Sequence, residues 1–120
     1  MNKICTSLEQ SQKLLELGID VYTADMFYTI IDQGLYLEVK QGIEPSKDDI
    51  PCWSLAALLS LIKDKCGYFE LVYLKQTING RANLLEDVHR LSTDVYDVYQ
   101  KEAVDACYEM IVKLYELKML

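Results

Sequence analysis

The C-terminal residues 102–118, EAVDACYEMIVKLYELK, constrain the fold more than any other part of the chain, because they predict a long helix with an unusually wide apolar face. At about 100° per residue, apolar side chains cover roughly two-thirds of the helix circumference. An ordinary surface helix has an apolar stripe that covers about a third of it. The polar remainder is a narrow strip that contains Asp105, Glu109, Lys113 and Glu116. This helix therefore needs cover on two sides.

Two kinds of neighbour can supply that cover. One is the rest of the same domain, with a sheet on one side of the helix and a second helix on the other. The alternative is a second protein chain that meets the stripe formed by Tyr108, Val112, Tyr115 and Met119. Tyrosine and methionine are typical of protein interfaces, and the chain contains nine Tyr against two Phe. The stripe is therefore the candidate partner-binding site, and a symmetric homodimer is the commonest form of such a contact.

Another helix is predicted over residues 8–17 from the signals at its two ends. Ser7 and Gln10 have the spacing of a capping box, in which each side chain bonds to the backbone of the other residue. Gly18 followed by Ile19 predicts a left-handed cap with a hydrophobic contact at the C-terminal end. Both ends of this helix are thus defined by the sequence.

The stretch DDIPCWSLAALLSLIKDK predicts a helix over residues 54–66. Ser54 is a suitable N-cap, and Trp53 before it has the position of a hydrophobic staple that reaches Leu58. Apolar residues then recur at helical spacing along one face. We expect this helix to share the hydrophobic core with the helix over residues 102–118.

Two segments have the pattern of β-strands. Residues 26–40 predict a hairpin, because apolar and polar residues alternate after a possible turn that ends at Gly34. Residues 68–77, YFELVYLKQT, are rich in aromatic and β-branched residues, and the Asn79-Gly80 pair that follows is a strong hairpin signal.

Residues 81–100 are ambiguous. Leu84, Val88 and Leu91 have helical spacing, whereas the preceding Asn-Gly turn favours a returning strand. We favour the strand, followed by a further extended piece over DVYDVY, although tertiary contacts decide such a segment.

Together these elements predict a single α+β domain over residues 1–120. A small antiparallel sheet, made of the hairpin and a meander, packs against two or three helices, and the long C-terminal helix closes the fold. A chain of 120 residues is long enough for one hydrophobic core.

Charge and hydropathy exclude several classes of function. The net charge of −7, with its Lys and Arg residues scattered, disfavours direct nucleic-acid binding. No apolar run is long enough for a membrane span, and the N-terminus lacks the apolar region of a signal peptide, so we expect a soluble cytoplasmic protein.

Acidic residues concentrate late in the chain, which raises the alternative of an acidic decoy that inhibits a host nucleic-acid-binding protein. These residues are Glu86, Asp87, Asp94, Asp97, Glu102, Asp105 and Glu109.

Residues with the spacing of a catalytic or metal site are not apparent. The four cysteines are far apart in sequence, which disfavours a zinc site. Cysteines in a protein of the cytoplasm are expected to be reduced. His89 is the only histidine, and the glycines are isolated rather than grouped in a phosphate-binding loop. We therefore predict no cofactor and no metal, and a small enzyme without a recognisable motif is the weaker alternative.

Two sequence motifs resemble those of a known group. The segments PCWSLAALLSLI and VDACYEMIVKLYELKML resemble the PxWSLxALL and DACxEMIxKLxELK patterns of small uncharacterised proteins of phages and mobile elements of Bacteroides-type bacteria. The N-terminal TSLEQSQKLLELGIDVYTADM is similar as well, and residues 68–100 agree least. The resemblance implies a phage or mobile-element origin and assigns no activity and no site residue. The expected function is a non-catalytic, protein-binding accessory protein that forms a homodimer.

Overall fold

Three α-helices and six β-strands are present in residues 3–31, 34–39 and 48–117, which the computed structural model describes. They form an α+β fold, as predicted. The helices are α1 (Leu8–Glu16), α2 (Leu55–Cys66) and α3 (Ala103–Glu116), and a short 3-10 turn spans Val21–Thr23. The strands are β1 (Met26–Ile31), β2 (Gly34–Val39), β3 (Ile50–Cys52), β4 (Glu70–Ile78), β5 (Arg81–Ser92) and β6 (Asp97–Gln100). None of the described helices has the length and apolar character needed to cross a membrane.

The predicted caps of α1 are confirmed. Gln10 N donates to Ser7 Oγ at 3.1 Å, and Ser7 N donates to Gln10 Oε1 at 3.0 Å, which completes the capping box. At the other end Gly18 has φ +90°, and Ile19 N donates to Leu14 O at 3.1 Å. This backward bond is the Schellman motif, and the apolar contact that accompanies it buries Ile19 in the core.

The helix predicted over residues 54–66 is α2. Its N-cap is Ser54, whose Oγ accepts from Ala57 N at 3.3 Å, and Gly67 ends it in a left-handed conformation at φ +72°. Trp53 and Leu58 both lie in the hydrophobic core. α2 packs against α3, so the prediction that these two helices share the core is confirmed.

Strands β1, β2 and β3 form one antiparallel sheet in the order β2-β1-β3, here called the hairpin sheet. The β1–β2 hairpin confirms the prediction for residues 26–40, although its turn at residues 32–33 and residue 40 lie outside the described residues. β3 was not predicted, because three residues with a central Pro51 give a weak strand signal. Proline is compatible with the edge position that β3 occupies.

Strands β4, β5 and β6 form a second antiparallel sheet, here called the meander sheet, in chain order. Asn79 and Gly80 both have positive φ, at +51° and +74°, as a type I′ turn requires, so this hairpin is confirmed. The strand favoured for the ambiguous segment is confirmed as β5. The extended conformation predicted for the whole of DVYDVY is wrong in its first half. There Thr93 N bonds to Tyr96 O at 3.0 Å and Thr93 Oγ1 accepts from nearby backbone N–H groups, which closes a turn.

The rest of the domain covers much of the wide apolar face of α3. α3 contacts α2 and also β5 and β6, so it has both a helix and a sheet as neighbours. Its buried side chains are Val104, Ala106, Cys107, Met110, Ile111 and Leu114. Leu91 and Val98 of the meander sheet join them in the main core, together with Leu14, Trp53, Leu58 and Ile62.

Candidate functional site

The predicted stripe on α3 packs partly against the core of its own chain. Tyr108, Val112 and Tyr115 are half-buried, and the two tyrosines pack against the hydrophobic core. Burial raises the pKa of Tyr108, and the negative charge of Glu16 raises it further. Met119 lies outside the described residues. Tyr108 and Tyr115 are therefore in contact with their own fold, and Tyr115 lines an open cavity.

Tyr115 lines a cleft of about 300 Å³ between the end of α1 and the last turns of α2 and α3. We call it the Tyr115 cleft. Its other lining residues are Gly18, Ile19, Asp20, Thr23, Leu61, Asp64 and Lys65. Thr23 Oγ1 accepts from Trp53 Nε1 at 2.9 Å and donates to Asp20 O at 2.6 Å, so the rim is tied to a fully buried tryptophan.

The meander sheet has an inner face that meets the helices and an outer face opposite to it. Leu71, Leu91 and Val98 are register partners, and all three belong to the core or pack on it. Because adjacent residues of a strand point to opposite faces, the next set of partners, Val72, Arg90 and Tyr99, lies on the outer face. Leu74 and Val88, paired with each other, lie on this face as well. Among the described elements, α3 is the one that packs closely on β5 and β6.

The outer face is apolar at its centre. Val72 and Leu74 are half-buried, Val88 is 6% exposed, and Tyr99 is 53% exposed. Val88 and Tyr99 line a shallow depression of about 260 Å³ with Glu86 and other side chains of the three strands. Sequence reasoning did not single out this surface. A signal for it was present, because β4 reads ELVYL and so has apolar residues on both of its faces, a pattern typical of strands that are covered on both sides.

The charges of the meander sheet are largely balanced. Residues 70–101 contain four Lys or Arg and five Asp or Glu, which gives −1 of the −7 carried by the whole chain. Arg90 pairs with Glu70 at 3.0 Å, and Lys101 approaches Glu86 at 3.7 Å. This region is therefore nearly neutral although the protein is acidic.

The acidic residues predicted as a cluster do not form one open patch. Five of the seven accept hydrogen bonds or form ion pairs within the chain. Asp105 accepts from Lys3 Nζ at 2.7 Å and from Gln10 Nε2 at 2.9 Å, whereas Glu109 accepts from Gln100 at 2.7 Å. Much of this negative charge is thus engaged in hydrogen bonds and ion pairs, which connect the N-terminal segment, α3 and the meander sheet.

The nucleophiles and bases of the chain are dispersed. His89 Nδ1 is hydrogen-bonded to the carbonyl oxygen of Lys101 at 2.9 Å on the surface. All four cysteines are free, and Cys5, Cys52 and Cys107 are buried. Burial raises the pKa of Cys107 to about 12, so its thiol is protonated and a weak nucleophile at neutral pH. Within the described ranges, no group of three His, Cys, Asp or Glu side chains is arranged to hold a metal ion.

Comparison with known proteins does not place the chain in a family. It matches no protein-family model, and no curated protein or solved structure is significantly similar to it. Function therefore has to be inferred from the two surfaces described above, the outer face of the meander sheet and the Tyr115 cleft.

Proposed function

We propose that this protein is a non-catalytic, protein-binding accessory protein that acts as a homodimer, with the outer face of the meander sheet as the contact between two copies. The observation that carries the proposal is the apolar centre of this face, where Val72, Leu74 and Tyr99 are partly exposed around the buried Val88. α3 packs on part of the opposite face of the same sheet, around Leu91 and Val98. A contiguous apolar patch rimmed by polar side chains is typical of a protein interface.

The charge distribution favours a second copy as the partner. Two chains of charge −7 repel each other in most orientations. The repulsion is smallest where the local charge is close to zero, and residues 70–101 carry only −1. In a two-fold contact the same patch faces itself, so the apolar centres of two outer faces would be buried together while the Arg90–Glu70 pair stays within each chain.

The sheet also presents open edges that an interface would protect. β4 and β6 are the edge strands of the meander sheet, and β4 is nine residues long. Long exposed edges are prone to uncontrolled pairing with other chains. A specific dimer that covers the face beside these edges would limit such pairing.

The biological setting follows from the sequence resemblance. The PxWSLxALL and DACxEMIxKLxELK patterns imply an accessory protein of a phage or mobile element, acting in the cytoplasm without direct contact to nucleic acid. The alternatives find less support. An acidic decoy needs free negative charge, and five of its seven predicted residues are engaged within the fold. An enzyme needs converging reactive groups, whereas His89 is hydrogen-bonded to a backbone carbonyl and Cys5, Cys52 and Cys107 are buried.

The proposal is tested by measuring the molar mass in solution with a variant on each sheet. The wild-type chain is expected to elute with twice the mass of its 13.8 kDa monomer in size-exclusion chromatography with light scattering. Tyr99→Lys is expected to elute as a monomer, because it places a charge in the contact. Tyr36→Lys is the matched control, since Tyr36 lies on the hairpin sheet and is 51% exposed against 53% for Tyr99. A wild-type monomer at the highest soluble concentration, or equal dissociation by both variants, would refute the proposal.

A further inference from the structure

We infer that the Asn79-Gly80 turn is a site of spontaneous covalent modification, at which Asn79 loses its side-chain amide as ammonia and becomes aspartate or isoaspartate. The turn joins β4 to β5. The inference does not depend on the homodimer, because it concerns the chemistry of one turn within a single chain. It rests on the residue pair, on its exposure and on its distance from the hydrophobic core.

The reaction starts at the backbone nitrogen of Gly80. Once hydroxide has removed its proton, this nitrogen attacks the side-chain carbon Cγ of Asn79, and the new N–C bond closes a five-membered succinimide ring. The bond from Cγ to Nδ2 breaks, and Nδ2 takes a proton from water and leaves as ammonia, which regenerates the hydroxide. Water then opens the ring. Opening at Cγ gives aspartate, whereas opening at the backbone carbonyl gives isoaspartate, in which the main chain runs through Cγ.

The residue after the asparagine decides how easily this attack occurs. Gly80 has no side chain, so its nitrogen can approach Cγ of Asn79 without steric conflict, and its backbone has more conformational freedom than that of other residues. The chain has two other asparagines, and they are followed by residues with long side chains, Lys3 and Leu84. Those side chains hinder the same approach. The sequence therefore singles out Asn79 among its asparagines.

The structure leaves the reacting groups of this pair accessible. Asn79 and Gly80 are both exposed, with φ +51° and +74°. Ile78 and Arg81 are register partners across the turn. The hydrogen bond that closes a two-residue turn joins these flanking residues, so the turn does not use the N–H of Gly80. The nucleophilic nitrogen is therefore not held by the bond that forms the turn.

The attack requires a brief opening of the turn, because the backbone has to rotate until Gly80 N reaches Cγ of Asn79. The position of the turn makes such an opening local. The ladder between β4 and β5 is irregular between Thr77 and Ile78. Leu71, the residue of β4 that packs on the core, precedes Asn79 by a distance of roughly 25 Å along the strand, at about 3.3 Å per residue. Local openings of this kind need much less free energy than global unfolding.

The products change the turn in two ways. Both add a carboxylate, and hence one more negative charge, to a chain that carries −7. Isoaspartate also lengthens the main chain by one carbon, within a turn whose two residues have to match the twist of the strands. We therefore expect isoaspartate to loosen the pairing of Thr77 with Leu85, while Leu91 and Val98 keep their contacts with the core.

The experiment is mass spectrometry of the full chain after incubation at about pH 6 and at about pH 8.5, followed by digestion with trypsin. Trypsin cleaves after Lys and Arg, so residues 76–81 and residues 82–90 are recovered as separate peptides, each with one asparagine. Residues 76–81 are expected to gain about 1 Da, since a hydroxyl replaces the amino group, and to separate into two products. An isoaspartate methyltransferase identifies the isoaspartate form. A sample digested without incubation corrects for conversion during digestion.

The pH dependence and an internal control test the mechanism. The deprotonated fraction of a backbone amide rises about ten-fold per pH unit, so the mass gain should be at least about ten-fold faster at the higher pH. Residues 82–90, which contain Asn83, should keep their mass under the same conditions. In the amide NMR spectrum of the incubated chain, new signals are expected for Thr77 and Leu85 but not for Leu91 and Val98.

Two variants locate the reacting atoms. Asn79→Gly removes the amide and leaves a Gly-Gly pair, which is compatible with the same turn, so residues 76–81 should keep their mass. Gly80→Asn keeps a residue that tolerates positive φ but adds a side chain that hinders the attack. A Cβ at this position would meet no described atom within 4 Å other than those of its chain neighbours. The gain at residue 79, assigned from fragment ions, should therefore slow several-fold. The amide spectrum of each variant shows directly whether it is folded.

Several results would overturn the inference. One is an unchanged mass of residues 76–81 in the folded chain during the time in which a free peptide of the same sequence is fully converted. Others are an equal mass gain in residues 82–90, an undiminished gain in Asn79→Gly, or a rate that does not increase with pH. New amide signals spread equally over Leu91 and Val98 would show that the modification is not confined to the turn and would refute the expected local effect.

Discussion

The hairpin sheet and the meander sheet each have three strands, yet they are attached to the helices by different interactions. The meander sheet contributes Leu91 and Val98 to the main hydrophobic core, and Leu71 packs against it. Among the described residues of β1, β2 and β3, none belongs to that core. Phe27 and Cys52 of the hairpin sheet are buried, but outside it.

The hairpin sheet is attached to the rest of the fold by hydrogen bonds rather than by contacts within the main hydrophobic core. Tyr28 Oη donates to Thr6 O at 2.7 Å, and Trp53 N donates to Thr6 Oγ1 at 3.1 Å. Asp25, just before β1, accepts from Ser54 N at 2.9 Å and from Ser54 Oγ. The N-terminal segment and the start of α2 are thereby bonded to this sheet through individual polar atoms.

The two sheets should therefore be destabilised by different kinds of change. Apolar packing depends on volume and is insensitive to pH. A buried hydrogen bond depends on single atoms, and an ion pair depends on protonation as well. Substitutions of Leu91, Tyr28 and Asp105 test this contrast, in decreasing order of the expected loss in the free energy of unfolding.

Leu91→Ala tests the apolar attachment of the meander sheet. Leu91 is fully buried against α3, so its truncation should lower the free energy of unfolding by about 2–5 kcal/mol in urea titrations. Leu74→Ala is the control on the outer face of the same sheet and should cost only about 1 kcal/mol, measured at a concentration where the chain is monomeric. Equal losses would mean that both faces are covered alike and would remove the basis for a free outer face.

Tyr28→Phe tests the polar attachment of the hairpin sheet. Burial raises the pKa of Tyr28, and the nearby Cys5 thiol raises it further, so the hydroxyl stays protonated and donates to Thr6 O. Removing it leaves that carbonyl oxygen without this donor and should cost about 1–2 kcal/mol. Tyr36→Phe removes an exposed hydroxyl from the same sheet and should change stability by less than about 0.5 kcal/mol. If the two substitutions lower the free energy of unfolding equally, the hydrogen bond from Tyr28 to Thr6 O does not stabilise the hairpin sheet.

Asp105→Asn tests whether the polar side of the fold is sensitive to acid. Burial raises the pKa of Asp105, but hydrogen bonds from Lys3 and Gln10 outweigh this, and the net pKa lies below its ordinary value of 3.8. A carboxyl with a lowered folded pKa stabilises the protein above its unfolded pKa, and this contribution is lost as the pH falls through the folded pKa.

We therefore expect Asp105→Asn to lower stability by about 1 kcal/mol at pH 7. The difference from the wild type should shrink as the pH falls through the lowered pKa of Asp105, as followed by thermal unfolding across the pH range. Asp97→Asn, which changes an exposed carboxylate on β6, is the control and should alter stability by less than about 0.5 kcal/mol at pH 7. If the loss of stability in Asp105→Asn persists unchanged at pH 2, the charge of the Asp105 carboxylate does not stabilise the fold.

Elements defined by local chemistry were predicted closely. The capping box of Ser7 and Gln10, the glycine cap at Gly18 and the Asn79-Gly80 turn all depend on residues within a few positions of each other. β3 and the turn at Thr93 were missed, because each depends on contacts or side-chain bonds that the hydrophobic pattern does not encode. The division of the strands between two sheets likewise depends on which strands meet in space.

The candidate sites could likewise be predicted from the sequence only in part. Tyr115 was selected from the helix face that carries it, and the structure places it at a cleft. Its neighbours Asp20 and Asp64 come from two other elements, and their spacing in sequence gives no sign that they meet. The outer face of the meander sheet had a partial signal in β4, where Val72 and Leu74 are apolar on the side opposite Leu71.

Residue pattern alone indicates the ends of α1 and α2, the position of the Asn79-Gly80 turn, and the need of α3 for apolar neighbours, since capping bonds, positive φ angles and helical periodicity act over a few residues. The folded chain was needed to show which neighbours cover α3 and which residues of α2 and of the segment after α1 line the cleft beside Tyr115. Burial and electrostatic potential at a point are sums over parts of the chain that are distant in sequence, and those sums are defined only once the chain has folded.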